Sequence, residues 1–137
     1  MINCPEHDYK LLTFIHTMTY MTLILAIIAV ESNGNDNAIG DYGLAYGCLQ
    51  MHAEYVQDAA EYAGKDWTHK DAFDRETAIE IFIAYMDRYA TEDRLGRPVT
   101  VKDIVRIHNG GPNGWKKPHT EAYWHKVKSV LDSNQIN

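Results

Sequence analysis

Apolar and polar positions along the chain separate helix-forming segments from polar, glycine-containing loops. The first apolar segment, residues 11–30, contains no Asp, Glu, Lys or Arg, and it predicts one bent helix or two shorter helices that supply core side chains. Residues 33–47 follow, in which glycines lie among Asn and Asp, and they predict a loop or a short β-hairpin.

Helical spacing of apolar residues returns in the second part of the chain. It predicts helices over residues 52–63, 73–89 and 101–108, and a last helix that Thr120 caps. Gly64 is placed to end the first of these helices, and Asp71 with Asp74 offers an N-cap to the second. Thr100 with Asp103 reads as a capping box that opens the third.

These segments predict a mostly α-helical, α+β fold of about five to seven helices, in which the glycine-rich segment or a small hairpin lines a cleft. The length fits a single domain that spans residues 1–137 and closes one hydrophobic core. Within it, we expect residues 1–20 to form a helical extension packed on the core and residues 132–137 to form a frayed tail.

Composition and charge narrow the possible partners. Hydrophobic residues make up 45% and charged residues 23% of the chain, which is typical of a globular protein. The formal net charge of -6 argues against nucleic acid as the main partner, because phosphate binding depends on Lys and Arg. Residues 11–30 are long enough to span a bilayer, but Thr and His residues interrupt them, so a membrane role is not favoured. We expect a monomer.

The two cysteines give no metal site. Cys4 and Cys48 have no CxxC spacing and no matching His pattern for zinc, so neither a metal nor a cofactor is predicted, and whether the two cysteines pair stays open. The basic n-region and the small-residue cleavage site of a classical signal peptide are also missing. The chain is therefore expected to be made in the cytoplasm.

Glu31 is the first candidate for chemistry. This lone acid ends the apolar segment and is followed at once by the turn-forming residues 32–37, so one side of the carboxyl group is dry and the other is wet. Such surroundings favour a protonated carboxyl group that can act as a general acid. Asp36 and Asp41, in the glycine-rich segment, could supply the second carboxylate that glycoside cleavage requires, although any acidic loop offers as much.

Two amide side chains suit a sugar ligand. Gln50 and Asn109 can each donate and accept hydrogen bonds, as the hydroxyl and acetamido groups of a glycan require, although such residues more often serve turns and caps. The pair Gly110-Gly111 can stop a helix or let a ligand approach the backbone.

The order of these residues resembles known families. Glu31-Ser32, Gly47-x-Leu49-Gln50-Met51 and His108-Asn109-Gly110-Gly111-Pro112 resemble the lysozyme-like superfamily, including its soluble lytic transglycosylases. A narrower resemblance, to the invertebrate-type (destabilase) lysozymes, lies in Val30-Glu31-Ser32, Asp41-Tyr42-Gly43, Tyr85-Met86-Asp87-Arg88-Tyr89, the run from Arg106 to Gly114, and Thr120-x-x-Tyr123-Trp124-x-Lys126-Val127.

The resemblance implies a lysozyme-like fold and a muramidase that cleaves the β-1,4 bond between N-acetylmuramic acid and N-acetylglucosamine in the cell wall. It implies that Glu31 is the general acid and that Asp41 is the nucleophile or the stabiliser of the oxocarbenium ion. The residues it implies for sugar binding are Ser32, Tyr46, Gln50, His108, Asn109, Gly110 and Tyr123.

Two departures and three alternatives remain. The invertebrate-type lysozymes are secreted and rich in cysteine, so this cysteine-poor chain is expected to be a bacterial or phage relative. The spacing between Asp41 and Gln50 also differs by one residue from the family pattern. The alternatives are a lytic transglycosylase that uses Glu31 alone, a non-catalytic glycan-binding or virion structural module, and a Ser or Cys peptidase with His108 as its base.

Overall fold

The structure, a computed structural model, describes residues 20–135. Helix α1 occupies residues 20–32 of this part of the chain. The other helices are α2 (Ala53–Ala63), α3 (Arg75–Tyr89), α4 (Glu92–Leu95), α5 (Val101–Gly110) and α6 (Thr120–Gln135). Strands β1 (Ile39–Gly40) and β2 (Ala45–Tyr46) form one antiparallel hairpin. Short 3-10 turns cover Asp41–Gly43, His69–Phe73 and Gly114–Lys116. The predicted helical fold with a small hairpin is confirmed.

The helix ends follow the sequence signals closely. Helix α2 ends at Gly64, whose φ of 66° is the left-handed conformation that glycine adopts at low cost. Helix α3 begins after Asp74, whose carboxylate accepts the backbone N–H of Thr77. Asp71 instead forms a capping box with Thr68 in the preceding 3-10 turn. The two acids predicted to start one helix therefore start two consecutive elements.

Helix α5 starts with the predicted capping box and runs two residues further than expected. The Thr100 hydroxyl oxygen accepts the Asp103 N–H, and the Asp103 carboxylate accepts the Thr100 N–H. Asn109 and Gly110 belong to the last turn, and Gly111, with a φ of 85°, ends the helix. A side chain at Gly110 would come within 2.6 Å of the Thr120 methyl carbon, so this glycine lets α5 pass close to the start of α6.

Thr120 stands at the start of the last helix, as the sequence predicted. It is fully buried as the first residue of α6, where its hydroxyl oxygen accepts the Arg106 Nε–H at 2.7 Å and lies 2.8 Å from the Gly114 carbonyl oxygen. It joins α5 to α6. Helix α6 continues to Gln135, so residues 132–135 of the expected tail are helical, and residues 136–137 lie outside the described part.

Helix α1 supplies one wall of the core. Leu23, Ile24 and Ile27 are at most 2% exposed and belong to the same buried cluster as Phe82 of α3 and Val127 of α6. Burial of each such side chain contributes about 1.5–3 kcal/mol to folding. The core role predicted for residues 11–30 is thus confirmed from residue 20 onwards, and residues 1–19 lie outside the described part. No helix within residues 20–135 combines the length and apolarity that crossing a bilayer requires.

The hairpin carries a tight left-handed tip. Asp41, Tyr42 and Gly43 have φ values of 49°, 56° and 91°, in a region that costs energy for residues other than glycine. The Tyr42 ring is completely exposed. At the base of the hairpin, Gly47 packs so closely on the Ala72 carbonyl that a side chain there would overlap it. The hairpin is therefore fixed against the 3-10 turn that precedes α3.

Candidate active site

Glu31 lies in the last turn of α1, where the apolar helix gives way to the polar loop. Its side chain is 20% exposed, which agrees with the half-dry position expected from the sequence. The next residue, Ser32, anchors this end of the helix, since its hydroxyl lies 2.8 Å from the Cys48 carbonyl oxygen and 3.1 Å from that of Ile28. Ser32 thus ties α1 to the segment that follows the hairpin.

His108, in the last turn of α5, is the immediate neighbour of Glu31. Its Nε2 lies 3.2 Å from Glu31 Oε2 and 3.0 Å from the carbonyl oxygen of Leu49. Its Nδ1 lies 2.9 Å from the hydroxyl of Tyr55 on α2. The His108 side chain is only 2% exposed. The structure therefore places His108 behind Glu31, in contact with protein groups on both ring nitrogens.

Tyr123 of α6 brings a second polar group near Glu31. Its hydroxyl is buried and lies near enough to the Glu31 carboxyl group to interact with it, and it meets strict hydrogen-bond geometry with no group of residues 20–135. Burial raises the pKa of Tyr123 well above its ordinary value, and the negative charge of Glu31 raises it further. The hydroxyl therefore keeps its proton and remains available as a donor on this side of Glu31.

Asp41 occupies the hairpin tip and is held by a histidine. One carboxylate oxygen lies 2.8 Å from Nε2 of His52, the residue that precedes α2, and both side chains are about half exposed. Asp36 is used differently, because its carboxylate accepts the Arg75 Nε–H at 2.7 Å while the same guanidinium binds the Gly34 carbonyl oxygen. Of the two candidate carboxylates, Asp36 braces the loop and Asp41 stands at its accessible tip.

Gln50 holds the hairpin together. Its side-chain amide donates toward the backbone carbonyls of Ala38, Ala45 and Gly47, at distances between 3.0 and 3.4 Å. Its own backbone adopts a φ of 49°. A side chain at Gly40 would collide with Oε1 of the Gln50 side chain, so the glycine makes room for this amide. The amide nitrogen is thus committed to the protein rather than free for a ligand.

An open groove of about 400 Å³ runs beside these residues. Its lining comes from Gln50, from α2 and the residue before it, from α3, and from the end of α5 with the segment that follows. These residues are Gln50, His52, Glu54, Tyr55, Asp58, Tyr85, Asn109, Gly110, Gly111, Pro112 and Lys117. A second groove of about 220 Å³, beside the hairpin, shares His52 and Glu54 with the first. The two adjoining grooves together are called the trough below.

Tyr46 lines the second groove but is already stacked. Its ring centre lies 3.6 Å from that of His69, with the planes nearly parallel, and 4.6 Å from that of Phe73. His69 in turn lies within hydrogen-bond distance of the Met51 carbonyl oxygen. The edge of Tyr46, rather than an unpaired face, is what this stack leaves for a ligand.

Comparisons with known proteins show the family of this chain. The family model described as Destabilase matches residues 22–130. The chain belongs to the destabilase family. A lysozyme of Ostrea edulis is 30% identical over 129 residues, which cover 78% of this chain and 92% of the relative. The invertebrate-type lysozyme of Ruditapes philippinarum is 32% identical over 123 residues, with 87% of each chain covered.

Solved structures show the same fold. The crystal structure of Tapes japonica lysozyme superposes with a TM-score of 0.64 at 28% identity and covers 77% of this chain and 85% of that chain. A chain in the crystal structure of Aeromonas hydrophila PliI in complex with Meretrix lusoria lysozyme gives a TM-score of 0.66 at 30% identity, over 80% and 88% of the two chains. This destabilase-family protein is a glycoside hydrolase of the lysozyme type, acting on peptidoglycan, and its lysozyme-like fold is confirmed.

Within the destabilase-family fold, seven residues singled out from the sequence separate into three groups. Glu31, His108 and Tyr123 gather around one carboxyl group. Asn109 and Gly110 line the main groove, with the Gly110 carbonyl accepting the Lys117 ammonium at 2.7 Å. Ser32 and Gln50 form the third group, because their side chains donate hydrogen bonds to backbone carbonyls of the protein. Sugar binding by each of these residues stays a prediction.

Two residues of the destabilase-family site were missed by the sequence analysis. Tyr55 contacts His108 across 53 positions of sequence, and His52 pairs with Asp41. Tyr55 lies on the apolar face of a helix, where the sequence pattern predicts a core residue. His52 directly precedes that helix, and its position in the sequence indicates only where the helix begins. Among residues 20–135, no three His, Cys, Asp or Glu side chains cluster as a metal ion would require.

Proposed function

We propose that this protein hydrolyses the β-1,4 bond between N-acetylmuramic acid and N-acetylglucosamine, with Glu31 as the general acid. The observation that carries the proposal is the setting of Glu31: a carboxyl group at the end of an apolar helix, 20% exposed, with one oxygen 3.2 Å from a ring nitrogen of a buried histidine. A carboxyl group that is partly desolvated and firmly oriented is what protonation of a glycosidic oxygen requires.

The proposed reaction begins with proton transfer from Glu31 to the glycosidic oxygen. The bond from that oxygen to the anomeric carbon breaks, the N-acetylglucosamine unit leaves with a free 4-hydroxyl group, and positive charge develops on the muramic acid ring. Asp41 stabilises this charge or attacks the anomeric carbon. A water molecule then adds to the anomeric carbon, and the Glu31 carboxylate takes up the proton that this water loses.

Asp41 is the better candidate for the second carboxylate. Its partner His52 lines both grooves, so the carboxylate stands beside the trough in which a glycan would lie. Asp36 is bound to Arg75, and a guanidinium paired in this way lowers the capacity of a carboxylate to stabilise a second positive charge. This contrast favours Asp41 for the role.

Contacts with the sugar are proposed for the residues that line the grooves. Asn109 is exposed at the end of α5 and can donate to or accept from hydroxyl and acetamido groups, and the adjacent Gly110 lines the same groove. Tyr46 offers its edge to the second groove. Ser32, Gln50 and His108 are proposed to act on the substrate indirectly, by holding the backbone and Glu31 in place.

The peptidase alternative has little support in this geometry. The Ser32 hydroxyl is engaged with the Cys48 carbonyl oxygen. The Cys48 side chain is fully buried, and burial raises the pKa of its thiol, which opposes formation of a thiolate nucleophile. His108 contacts Glu31 and Tyr55 instead of either residue's reactive atom.

The Glu31→Gln variant tests the proposal. We expect it to lose clearing of a cell-wall suspension by at least about a thousandfold, because the amide has no proton to transfer, while the melting temperature changes little. The matched control is Glu80→Gln, which makes the same change at an exposed position of α3 and should keep full activity. A Glu31→Gln variant that clears the suspension normally would overturn the assignment.

The reaction products decide between the two enzymatic outcomes. Hydrolysis leaves reducing-end sugars, whereas a lytic transglycosylase leaves 1,6-anhydro sugars that are lighter by one water. We expect mass spectrometry of the released muropeptides to show the reducing form. Exclusive formation of the anhydro form would assign the reaction to a transglycosylase, and binding of cell walls without any released fragment would indicate a glycan-binding module.

The proposed substrate also implies the place of action. Peptidoglycan lies outside the cytoplasmic membrane, so the protein would act at the cell wall after it has left the cell that makes it. Expression of the chain with and without an added export signal, followed by measurement of lysis in the producing bacterium, tests this expectation.

A further inference from the structure

The protonation of His108 follows from its neighbours. The Leu49 carbonyl oxygen, 3.0 Å from Nε2, can only accept a hydrogen bond, so Nε2 must carry a hydrogen. The same nitrogen lies 3.2 Å from Glu31 Oε2. In the neutral ring the other nitrogen, Nδ1, is then an acceptor, and its partner at 2.9 Å is the hydroxyl of Tyr55.

Tyr55 is well suited to donate this hydrogen bond. Burial raises the pKa of Tyr55 well above its ordinary value, so the hydroxyl keeps its proton across the range in which the protein would work. The ring is fixed by a parallel stack on Tyr85 of α3, with ring centres 3.7 Å apart. A rigid donor of this kind selects one tautomer of the imidazole it faces.

The tautomer of His108 affects the carboxyl group of Glu31. Because His108 Nε2 lies 3.2 Å from Oε2, that oxygen faces the histidine, and the proton of the acid is assigned to the other oxygen, Oε1. When that proton has been given away, the positive end of the nearby N–H dipole stabilises the new carboxylate electrostatically. Both states of Glu31 are then held in the same orientation.

We propose that Tyr55 is a positioning residue for catalysis: it holds His108 in the Nε2–H tautomer, and His108 in turn fixes the Glu31 carboxyl group with Oε1 as the proton-bearing oxygen. This inference rests on the proposed function of Glu31 as the general acid. It adds a three-residue chain from α2 through α5 to α1, built from Tyr55, His108 and Glu31.

The groups around His108 define how the chain responds to pH. Three residues face His108 directly: Glu31 from α1, Tyr55 from α2 and Phe82 from α3. Two more tyrosines lie next to these neighbours, since Tyr85 stacks on Tyr55 and Tyr123 lies near Glu31. Glu31 is the one anionic group among these neighbours. Loss of the Tyr55 hydroxyl would free Nδ1 to take up a proton, and the resulting imidazolium would hold Glu31 as a carboxylate that cannot act as an acid.

The Tyr55→Phe variant tests the proposal kinetically. It keeps the ring and its stack on Tyr85 and removes only the hydroxyl. We expect kcat to fall about tenfold with KM changed less than about twofold, and the alkaline limb of the pH–rate profile to move to lower pH, because the imidazolium makes Glu31 lose its proton more readily. The matched control is Tyr62→Phe, the same change on the exposed face of α2, which should leave kcat, KM and the pH profile unchanged.

A spectroscopic measurement on the unaltered protein keeps the test independent of folding in the variant. With ¹⁵N-labelled histidine, the His108 signals, assigned by their loss in His108→Gln, should show a protonated Nε2 and an unprotonated Nδ1 near neutral pH. A protonated Nδ1 with a bare Nε2 would overturn the proposal. A Tyr55→Phe enzyme with the kcat and the alkaline limb of the unaltered protein would also overturn it.

The Glu31→Gln and Tyr55→Phe variants distinguish failure of the proposed function from failure of the positioning role. If Glu31→Gln remains active, the proposed function is wrong whatever the tautomer of His108. If Glu31→Gln is inactive but Tyr55→Phe is fully active with an unchanged pH profile, the general acid stands and the positioning role of Tyr55 is wrong.

Discussion

Single side chains at this site divide the work between chemistry and support. Glu31 and Asp41 are the carboxylates proposed to act on the substrate, and each is bound to one histidine, His108 or His52. The two histidines differ in surroundings, since His108 is buried and His52 is about half exposed. The acid is therefore oriented in a dry setting, while the second carboxylate is held by a partner that solvent can reach.

Asp41→Asn is the direct test of the second carboxylate. We expect kcat to fall by at least about a hundredfold with little change in KM, because the neutral amide cannot offset charge at the anomeric carbon. The matched control is Asp36→Asn, which loses the pairing with Arg75 and should cost at most about 1 kcal/mol of stability while kcat is kept. Near-normal turnover in Asp41→Asn would exclude the retaining mechanism.

Sequence reasoning found Glu31 because its signal is local: an apolar helical segment that ends at one acid and a polar turn. It did not find Tyr55 or His52, because their roles depend on partners brought together by folding. It predicted sugar binding by Gln50 but not the contacts of the Gln50 amide nitrogen with three backbone carbonyls of its own loop. Local patterns reveal which chemistry is available, but they do not show which partner uses it.

At the scale of elements, helix caps were the most predictable features. A capping box needs only residues three positions apart, so Thr100 and Asp103 could be paired from the sequence. Arg97 could not be added in that way, although its guanidinium binds both oxygens of Asp103 at 2.7 and 2.9 Å. This bidentate contact turns a helix cap into a link between α5 and the loop before it.

The Asp103→Asn variant should show this link in the pH dependence of stability. Burial alone would raise the pKa of Asp103, but hydrogen bonds from Arg97 and Thr100 outweigh it and lower the pKa below its ordinary 3.8. The stabilisation is therefore present above about pH 4 and lost as the pH falls further. We expect the variant to cost about 1–2 kcal/mol at pH 7 and to flatten the fall in melting temperature below pH 4.

The control for that measurement is Asp66→Asn, at an exposed loop position. It should leave both the melting temperature and its pH dependence nearly unchanged. An Asp103→Asn variant with the same acid-induced fall as the unaltered protein would show that the cap contributes nothing through its charge.

At the scale of the whole molecule, one core supports a site assembled from distant elements. Glu31 comes from α1, His108 and Asn109 from α5, Tyr55 from α2 and Asp41 from the hairpin. Two cysteines in 137 residues leave little scope for covalent bracing, and the buried cluster that joins α1 to α3 and α6 holds the elements together. Apolar packing therefore carries the geometry that cysteine-rich members of the family are expected to reinforce with disulfides.

Ile27→Ala tests how far the site depends on that packing. Ile27 is fully buried one helical turn before Glu31, so its truncation should cost about 2–5 kcal/mol and lower the melting temperature by many degrees. Leu25→Ala, on the exposed side of the same helix, should cost far less. We expect activity per folded molecule to be kept in both, when it is measured well below the melting transition. Equal melting temperatures for the two variants would contradict the assigned core face.

The left-handed tip of the hairpin has a consequence for which sequences the protein tolerates. At position 42 the backbone favours Gly, Asn or Asp, and an exposed tyrosine gains nothing from packing there. In a library randomised at Tyr42, selection for folding alone should enrich those three residues. A second selection, for lysis of bacteria, would test whether the aromatic ring of Tyr42 contributes to activity. Enrichment of aromatic residues in the second selection but not in the first would indicate that the ring contacts the substrate.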